Sequence, residues 1–363
     1  MIRRLLPFLV LLVVIFGLAH YFVFVVTANS LPEEGSARFI YAMILTIGLF
    51  SMPLGFAASH AKVKRIKIFT WIGYIWMGFF SNLFFFSLFE FIIFVFFPHD
   101  FSYWVIAASF VIGLWALCNG MRLPRVFTHT LEKTALKGLK LAQISDLHIG
   151  MLHLNAKWLE KVVDRILPLG PDIVVITGDL VEGDFVDISP QLEILKKLSA
   201  IPHKFYITGN HEYIHHTGAW EQRLTHLGFT ALHNQNRIIN YKGAKVLMAG
   251  VPDRSIRRFL RNEDSLPDLA LKTSEKTDYK ILLAHQPASV FDVKNESCDL
   301  ILSGHTHGGQ IFPFHLIVKM VQPVNAGFKL INNILVFAHR GTGFWGPPMR
   351  WFSDNEIVLL EWK

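Results

Sequence analysis

The chain has 363 residues, 52% of them hydrophobic, a formal net charge of +7, 17 histidines and two cysteines. Cys118 in an apolar run and Cys298 before an apolar segment suit small buried hydrophobes; they exclude a disulfide framework and a thiolate metal site, so any metal must be held by His and carboxylates. The average composition describes neither half. Apolar residues dominate up to about Gly120, whereas strand-like and helix-like patterns alternate from about Lys137, so the expected organisation is a transmembrane helical domain over 1–120, a basic linker over 121–137 and a soluble domain over 138–363.

In chain order, four apolar stretches come first: 5–27, 39–59, 68–97 and 101–118. A bilayer core takes about 20 residues of helix, which the first three meet and the fourth approaches. The third is too long for one upright span and must tilt or run into the interface, which puts Glu90 near its end at an interfacial depth. Arg3 and Arg4 precede the first span, and Lys62, Lys64, Arg65 and Lys67 fill the second loop, while Glu33, Glu34 and Asp100 occupy the other two. Lys and Arg accumulate on the cytoplasmic side, so both termini are expected there, in agreement with Arg122 and Arg125 after the last span. A cleaved signal peptide ending near Val26-Thr27-Ala28 is the competing reading of the first span; the apolar run is longer than the usual signal core.

The soluble half reads as strand, turn and helix in repetition. Strands are expected at 139–144, 173–177, 205–208, 245–250, 280–284 and 300–303, helices at 157–167 and 192–198, and a hairpin turn at Asn332-Asn333. That alternation indicates an α/β or α+β layered domain with a mixed sheet. Nearly every strand ends in a polar cluster: Asp146-Leu147-His148, Gly178-Asp179, Gly209-Asn210-His211-Glu212, His285, and Gly304-His305-Thr306-His307-Gly308-Gly309. A single Asp-x-His or Gly-Asp pair is usually a turn. Five such clusters at successive strand ends point instead to one rim where a ligand binds.

This ordered set resembles the hallmark of the calcineurin-like metallophosphoesterase family, and the run through Gln310 resembles its membrane-attached bacterial type. The resemblance covers about 140–361 and implies a four-layer sandwich of two mixed sheets flanked by helices. It also implies two metal ions, one held by Asp146, His148 and His307, the other by Asn210, His285 and His305, with Asp179 bridging both. Carboxylate, amide oxygen and imidazole suit Mn, Fe or Zn better than Mg or Ca. The implied activity is hydrolysis of a phosphodiester or phosphoanhydride by a bridging hydroxide. His211 resembles the family's non-ligand histidine acting on the leaving oxygen, and Glu212 is expected either to orient it or to cap the local backbone. His153, His203, His215, His216, His226, His233, His315 and His339 match no ligand position, although His215 and His216 are close enough in sequence to line the pocket. The family's Pro-Glu before the last strand is Asn355-Glu356 here, which leaves the ligands intact.

Three other readings compete. A transporter carrying a non-catalytic regulatory domain is disfavoured by spans almost without ionisable residues and by a complete ligand set. A nucleic-acid partner is not expected, because part of the +7 charge sits in membrane loops and no nucleic-acid module is present. The third is a tethered enzyme acting on soluble nucleotides, against which stand two features that point to a membrane lipid. Arg254, Arg257, Arg258 and Arg261 fall on one helical face, as candidate substrate contacts, and Phe344, Trp345, Met349, Trp351 and Phe352 cluster around Pro347-Pro348.

Overall fold

The computed structural model describes residues 2–32, 35–59, 66–214 and 217–363, the side chains of 2–12 and 217 excepted. The loop charges Glu33, Glu34, Lys62, Lys64 and Arg65, the side chains of Arg3 and Arg4, and His215 and His216 therefore lie outside the described residues. Contacts divide the chain into two units: Met1–Met121 with Gly346–Met349, and Arg122–Trp345 with Arg350–Lys363.

The first unit is four helices, α1 (Ile2–Thr27), α2 (Ala37–Ser59), α3 (Lys67–Phe96) and α4 (Ser102–Gly120), each long and apolar enough to cross a membrane. Val23, Leu45 and Phe80 form a small core between α1, α2 and α3. At Gly73 a Cβ would collide with the Ser51 carbonyl, so glycine is what lets α2 and α3 approach so closely. Glu90 accepts hydrogen bonds from Ser102 Oγ (2.6 Å) and the Phe101 amide (3.2 Å), and so ties α3 to the start of α4.

The second unit holds two six-stranded sheets. The first contains β1 (Arg125–Leu131), β2 (Lys140–Ile144), β3 (Ile173–Thr177), β4 (His203–Ile207), β5 (Thr230–Ala231) and β12 (Glu356–Trp362), in the order β1-β12-β2-β3-β4-β5. The second contains β6 (Gln235–Tyr241), β7 (Ala244–Gly250), β8 (Tyr279–Leu283), β9 (Leu300–Ser303), β10 (Gly327–Ile331) and β11 (Ile334–Ala338), in the order β10-β11-β9-β8-β7-β6. Both are mixed, because β12 runs against β2 in one, and β6 against β7 and β10 against β11 in the other. Inward side chains of both sheets, among them Leu141, Val175, Ile207, Met248, Ile281 and Leu302, share one core. The neighbouring residues Leu247, Leu282 and Ile301 face the other way and pack with Ala270 and Leu271 of α10 (Pro267–Leu271). Strands buried on both faces read as continuous apolar runs, which is why they are visible in the sequence.

The helices are α5 (Ala156–Ile166), α6 (Phe185–Ile188), α7 (Asn210–Ile214), α8 (Thr217–His226), α9 (Ile256–Phe259), α10 and α11 (Phe314–Val321). Asn155 Oδ1 accepts from the amides of Lys157 (3.0 Å) and Trp158 (3.3 Å) and starts α5, which buries Trp158, Leu159, Val162, Val163 and Ile166 on one stripe. The expected helix at 192–198 forms as 3-10 turns over Ser189–Ala200. Leu192, Leu195 and Leu198, all buried, recur every third residue, which suits three residues per turn. Asn332 and Asn333 both have positive φ, as a two-residue hairpin turn requires.

Two expectations need correction. Part of the supposed linker, 125–131, is the edge strand β1, paired in parallel with β12 from Arg125–Glu356 to Leu131–Trp362. An edge strand whose residues are mostly exposed carries no long apolar run to announce it. The arginine stripe also fails as one helical face, because α9 has only four residues and Arg261 lies beyond it.

Candidate metal centre

Each polar cluster follows the last residue of a strand: Asp146 and His148 after β2, Asp179 after β3, Asn210 and His211 after β4, His285 after β8, and His305 and His307 after β9. Beyond the strands the backbone ladder continues, with the amides of Asp146 and His148 donating to Gly178 O (3.0 Å) and Asp179 O (3.1 Å). The two sheets meet here, since the His305 amide donates to Asp146 Oδ1 (2.9 Å) and His285 Nδ1 to Thr177 O (2.7 Å). Asp146, His148, Asp179, His305 and His307 all have positive φ. Left-handed backbone at non-glycine residues costs on the order of 1–3 kcal/mol each and persists where the surroundings enforce it, typically at functional sites. At Gly209 a Cβ would fall on the Asp179 carboxylate, so glycine there is a condition for the carboxylate's position.

Among the described residues, three groups of side chains place one ligand atom each within 4.8 Å of the others: Asp146, His148 and His307; Asp179, His285 and His305; and His148, Glu182 and His211. Asp179 is the hub. Its Oδ2 lies 3.1 Å from His285 Nε2 and 4.0 Å from the Nε2 atoms of both His148 and His211. Its other oxygen accepts from the His211 amide at 2.9 Å. On the far side His148 Nε2 and His307 Nε2 are 3.2 Å apart, and His307 Nε2 is 3.5 Å from Asp146 Oδ1.

The donors fit divalent cations. His285 Nδ1–H is committed to a carbonyl, so the neutral ring would set a bare Nε2 lone pair against the Asp179 carboxylate, acceptor facing acceptor. Positive charge, from a proton or a cation, is needed there. Asn210 Oδ1 is buried and accepts no hydrogen bond from the described residues, as expected of a metal-facing amide oxygen. Nitrogen and oxygen donors without thiolate suit a borderline transition metal. His307 is the member that must adjust. Arg350 Nη2 donates to its Nδ1 (3.2 Å), so a cation at Nε2 requires that guanidinium N–H to turn to the carbonyls already around it.

The electrostatics follow from the same geometry. Burial works against charge on His211, but the carboxylates of Asp179, Glu182 and Glu212 outweigh it and push its pKa up to about 9. Burial likewise opposes charge on His285, which Asp179 overrides to hold it well above the imidazole range. His307 is held well below that range by burial and by the Arg350 guanidinium. Burial and the Asp179 charge lift Glu212 to about 7 against the amides that bond it.

Glu212 does not orient His211. Its carboxylate accepts from the amides of Gly209 (2.6 Å), Leu180 (2.7 Å), Asp179 (3.1 Å) and Val181 (3.3 Å), and so welds the loop after β3 to the loop after β4. The ring is instead met by Glu182, whose Oε2 lies 2.6 Å from His211 Nδ1 and 3.1 Å from His148 Nδ1. Sequence reasoning missed Glu182; its only signal is a carboxylate three residues after Asp179, in the same turn. It also missed Arg350, fully buried and donating to His307 O (2.8 Å), Arg340 O (2.6 Å) and Gly343 O.

Of the expected substrate contacts, Arg254 pairs with Asp292 (2.7 Å) and Arg257 with Asp264 (3.5 Å), while Arg258 and Arg261 are exposed. The segment adjoins α7, since the Phe259 ring lies 5.8 Å from that of Tyr213. The aromatic cluster divides: Phe344 is buried, Met349 falls with the helical unit, the Trp345 ring stands 5.9 Å from His211, and Phe352 is exposed.

A two-sheet sandwich whose strand ends gather Asp, Asn and His around one carboxylate defines a metallohydrolase of the α/β layered class. The calcineurin-like phosphoesterase profile matches residues 139–309. An uncharacterized metallophosphoesterase of Campylobacter jejuni is 34% identical over 272 residues, 72% of this chain and 70% of that one. A transmembrane protein with metallophosphoesterase domain from Danio rerio is 32% identical, over 70% of this chain and 60% of its own length. Among solved structures, a 5'-nucleotidase precursor from Thermus thermophilus aligns with TM-score 0.41 at 15% identity, over 61% of this chain and 54% of that one. The chain thus spans less than two thirds of the last two proteins. It belongs to the calcineurin-like metallophosphoesterase family and is a hydrolase of phosphoester bonds.

Proposed function

We propose that the second unit hydrolyses a phosphodiester or phosphoanhydride with two divalent ions, Mn, Fe or Zn. Asp146, His148 and His307 would hold one, Asn210, His285 and His305 the other, and Asp179 both. The substrate is a membrane lipid reached from the cytoplasmic side. When bound, such ions offset phosphoryl charge and acidify a water. The observation that carries the reading is the single Asp179 oxygen faced by three imidazoles, the arrangement expected of a carboxylate between two cations.

The chain's own residues supply the remainder. His211, a non-ligand imidazole beside the proposed ions, donates a proton from Nε2 to the leaving oxygen as the P–O bond breaks. Glu182 fixes the ring through Nδ1, which turns Nε2 towards the Asp179 side of the site. Anchoring by four apolar spans supports a lipid substrate, because a tethered site meets bilayer-borne molecules at high effective concentration.

The test is turnover of bis(4-nitrophenyl) phosphate by the full chain, stripped of metal and then reloaded with Mn, Fe or Zn, beside Asp179→Ala. Stripping should abolish activity and reloading restore it. Asp179→Ala should lose bound metal and orders of magnitude in kcat. Full activity in the stripped protein or in the variant would sink the two-metal reading.

A further inference from the structure

α11 (Phe314–Val321) is an anomaly among the helices of the second unit. Six of its eight residues are apolar (Phe314, Leu316, Ile317, Val318, Met320, Val321), yet none of the eight is buried, and Met320 is 85% exposed. A surface helix normally buries one apolar stripe against the core. An apolar helix left uncovered marks an interaction surface. Eight residues are far short of the about 20 needed to cross a bilayer, so a lipid contact here would be interfacial.

The position of α11 joins it to the chemistry. Only Ile311, Phe312 and Pro313 separate it from Gln310, the end of the loop that carries His305 and His307. Gln310 grips the main chain of Trp345 from both sides (Nε2 to O, 2.9 Å; N to Oε1, 3.0 Å), and the Trp345 ring stands edge-on to His211. The Trp351 amide donates to Gln310 O (2.8 Å), and its ring lies 5.0 Å from Phe312 and 5.3 Å from Phe352. Phe352 is 78% exposed on a left-handed backbone, φ 60°, a conformation that costs energy and that the surrounding segment must enforce. Lys319 is the one charged residue of α11, and a lysine beside apolar neighbours reaches headgroup phosphates while its stem stays in the apolar layer.

What covers this face follows from the rest of the chain. Four helices apolar enough to cross a membrane precede β1, and only four residues, 121–124, join α4 to it. A bilayer is therefore a permanent neighbour of this unit at an effective concentration no soluble partner matches.

We propose that α11, with Phe352, seats the rim of the metal centre in the headgroup–acyl boundary of a lipid bilayer, so that the site takes the phosphate ester of an amphiphile held in that bilayer. The seating stands by itself; the substrate half rests on the hydrolysis reading above.

The experiment uses the full chain in lipid nanodiscs. In a Cys118→Ala, Cys298→Ala background that still turns over bis(4-nitrophenyl) phosphate, Met320→Cys carries an environment-sensitive fluorophore. Blue-shifted emission, quenched by doxyl-labelled lipid and not by aqueous iodide, is expected. Quenching by iodide alone places α11 in water and overturns the proposal; a blue shift with neither quencher acting means that protein covers it, with the same result. In parallel, Leu316→Glu with Met320→Glu is assayed on a nitrophenyl ester of phosphatidic acid in the disc and on the soluble diester. Lipid turnover should fall about tenfold or more through lost effective concentration. Soluble turnover should stay within about twofold, as for surface changes. Equal loss on both esters makes α11 a structural support, and no loss on the lipid ester removes the substrate half. Inactivity of the unaltered chain on both esters strikes the hydrolysis reading, while the fluorescence still decides the seating.

Discussion

Two carboxylates beside His211 hold different things, and substitution should separate them. Glu182 faces the ring nitrogens of His211 and His148, whereas Glu212 faces only main-chain amides. Glu182→Gln should lower metal affinity or activity by about 10- to 100-fold while the fold persists, as for residues that orient a ligand. Glu212→Gln keeps a carbonyl acceptor but puts an NH₂ against amide donors, so its effect should appear as lost stability. His211→Ala should keep its metal and lose about 10²–10⁴ in kcat, less for aryl than for alkyl leaving groups. Equal losses on both classes of ester would argue against proton donation; mass-spectrometric metal counts beside the kinetics decide the Glu182 and His211 variants, and a thermal melt decides Glu212→Gln.

Among the elements, the segment between β11 and β12 is held from within by Arg350. With no exposure to solvent, its guanidinium satisfies the carbonyls of His307, Arg340 and Gly343 and the hydroxyl of Ser353. Burial lowers its pKa to about 10, so it stays charged at neutral pH. Arg350→Met takes this donor from the carbonyls of Arg340 and Gly343, at about 1–3 kcal/mol each, whereas His307 O keeps Ser353 Oγ and the Gln310 amide. The variant should unfold about 5–10 °C lower. Because one of those contacts is on the His307 carbonyl and another guanidinium N–H meets its Nδ1, metal content should fall as well. An unchanged melting temperature with normal metal loading would show that water or a neighbour replaces the guanidinium.

For the whole molecule the prediction concerns the side of the membrane. The cytoplasmic placement proposed for the soluble unit rests on Lys and Arg in the first and third polar segments and on Arg122 after the last span. Arg125 contributes less as a free charge than its position suggests, since it bonds Asp354 at 2.9 Å within β1's neighbourhood. A reporter fused after Lys363 should read as cytoplasmic, and protease added to intact cells should spare the soluble unit; digestion there would reverse the assignment.

The sequence by itself determined the elements whose burial is one-dimensional. α1 to α4 match the apolar stretches to within three residues at each end, and β3 and β9 match the expected strands residue for residue, because helices apolar enough to cross a bilayer and strands covered on both faces are apolar throughout. It also placed Asp146, His148, Asp179, Asn210, His285, His305 and His307 just beyond strand ends, since each follows a readable strand. Tertiary structure decided the rest. β1 is an edge strand defined by its partner β12, and its own residues are mostly exposed. Whether Glu182 or Glu212 meets His211 depends on how the loops after β3 and β4 cross, a relation that spacing along the chain does not carry. Arg350 is an arginine like any other in sequence, and only the fold, by taking it out of water among carbonyls with nowhere else to turn, makes it a support of the site.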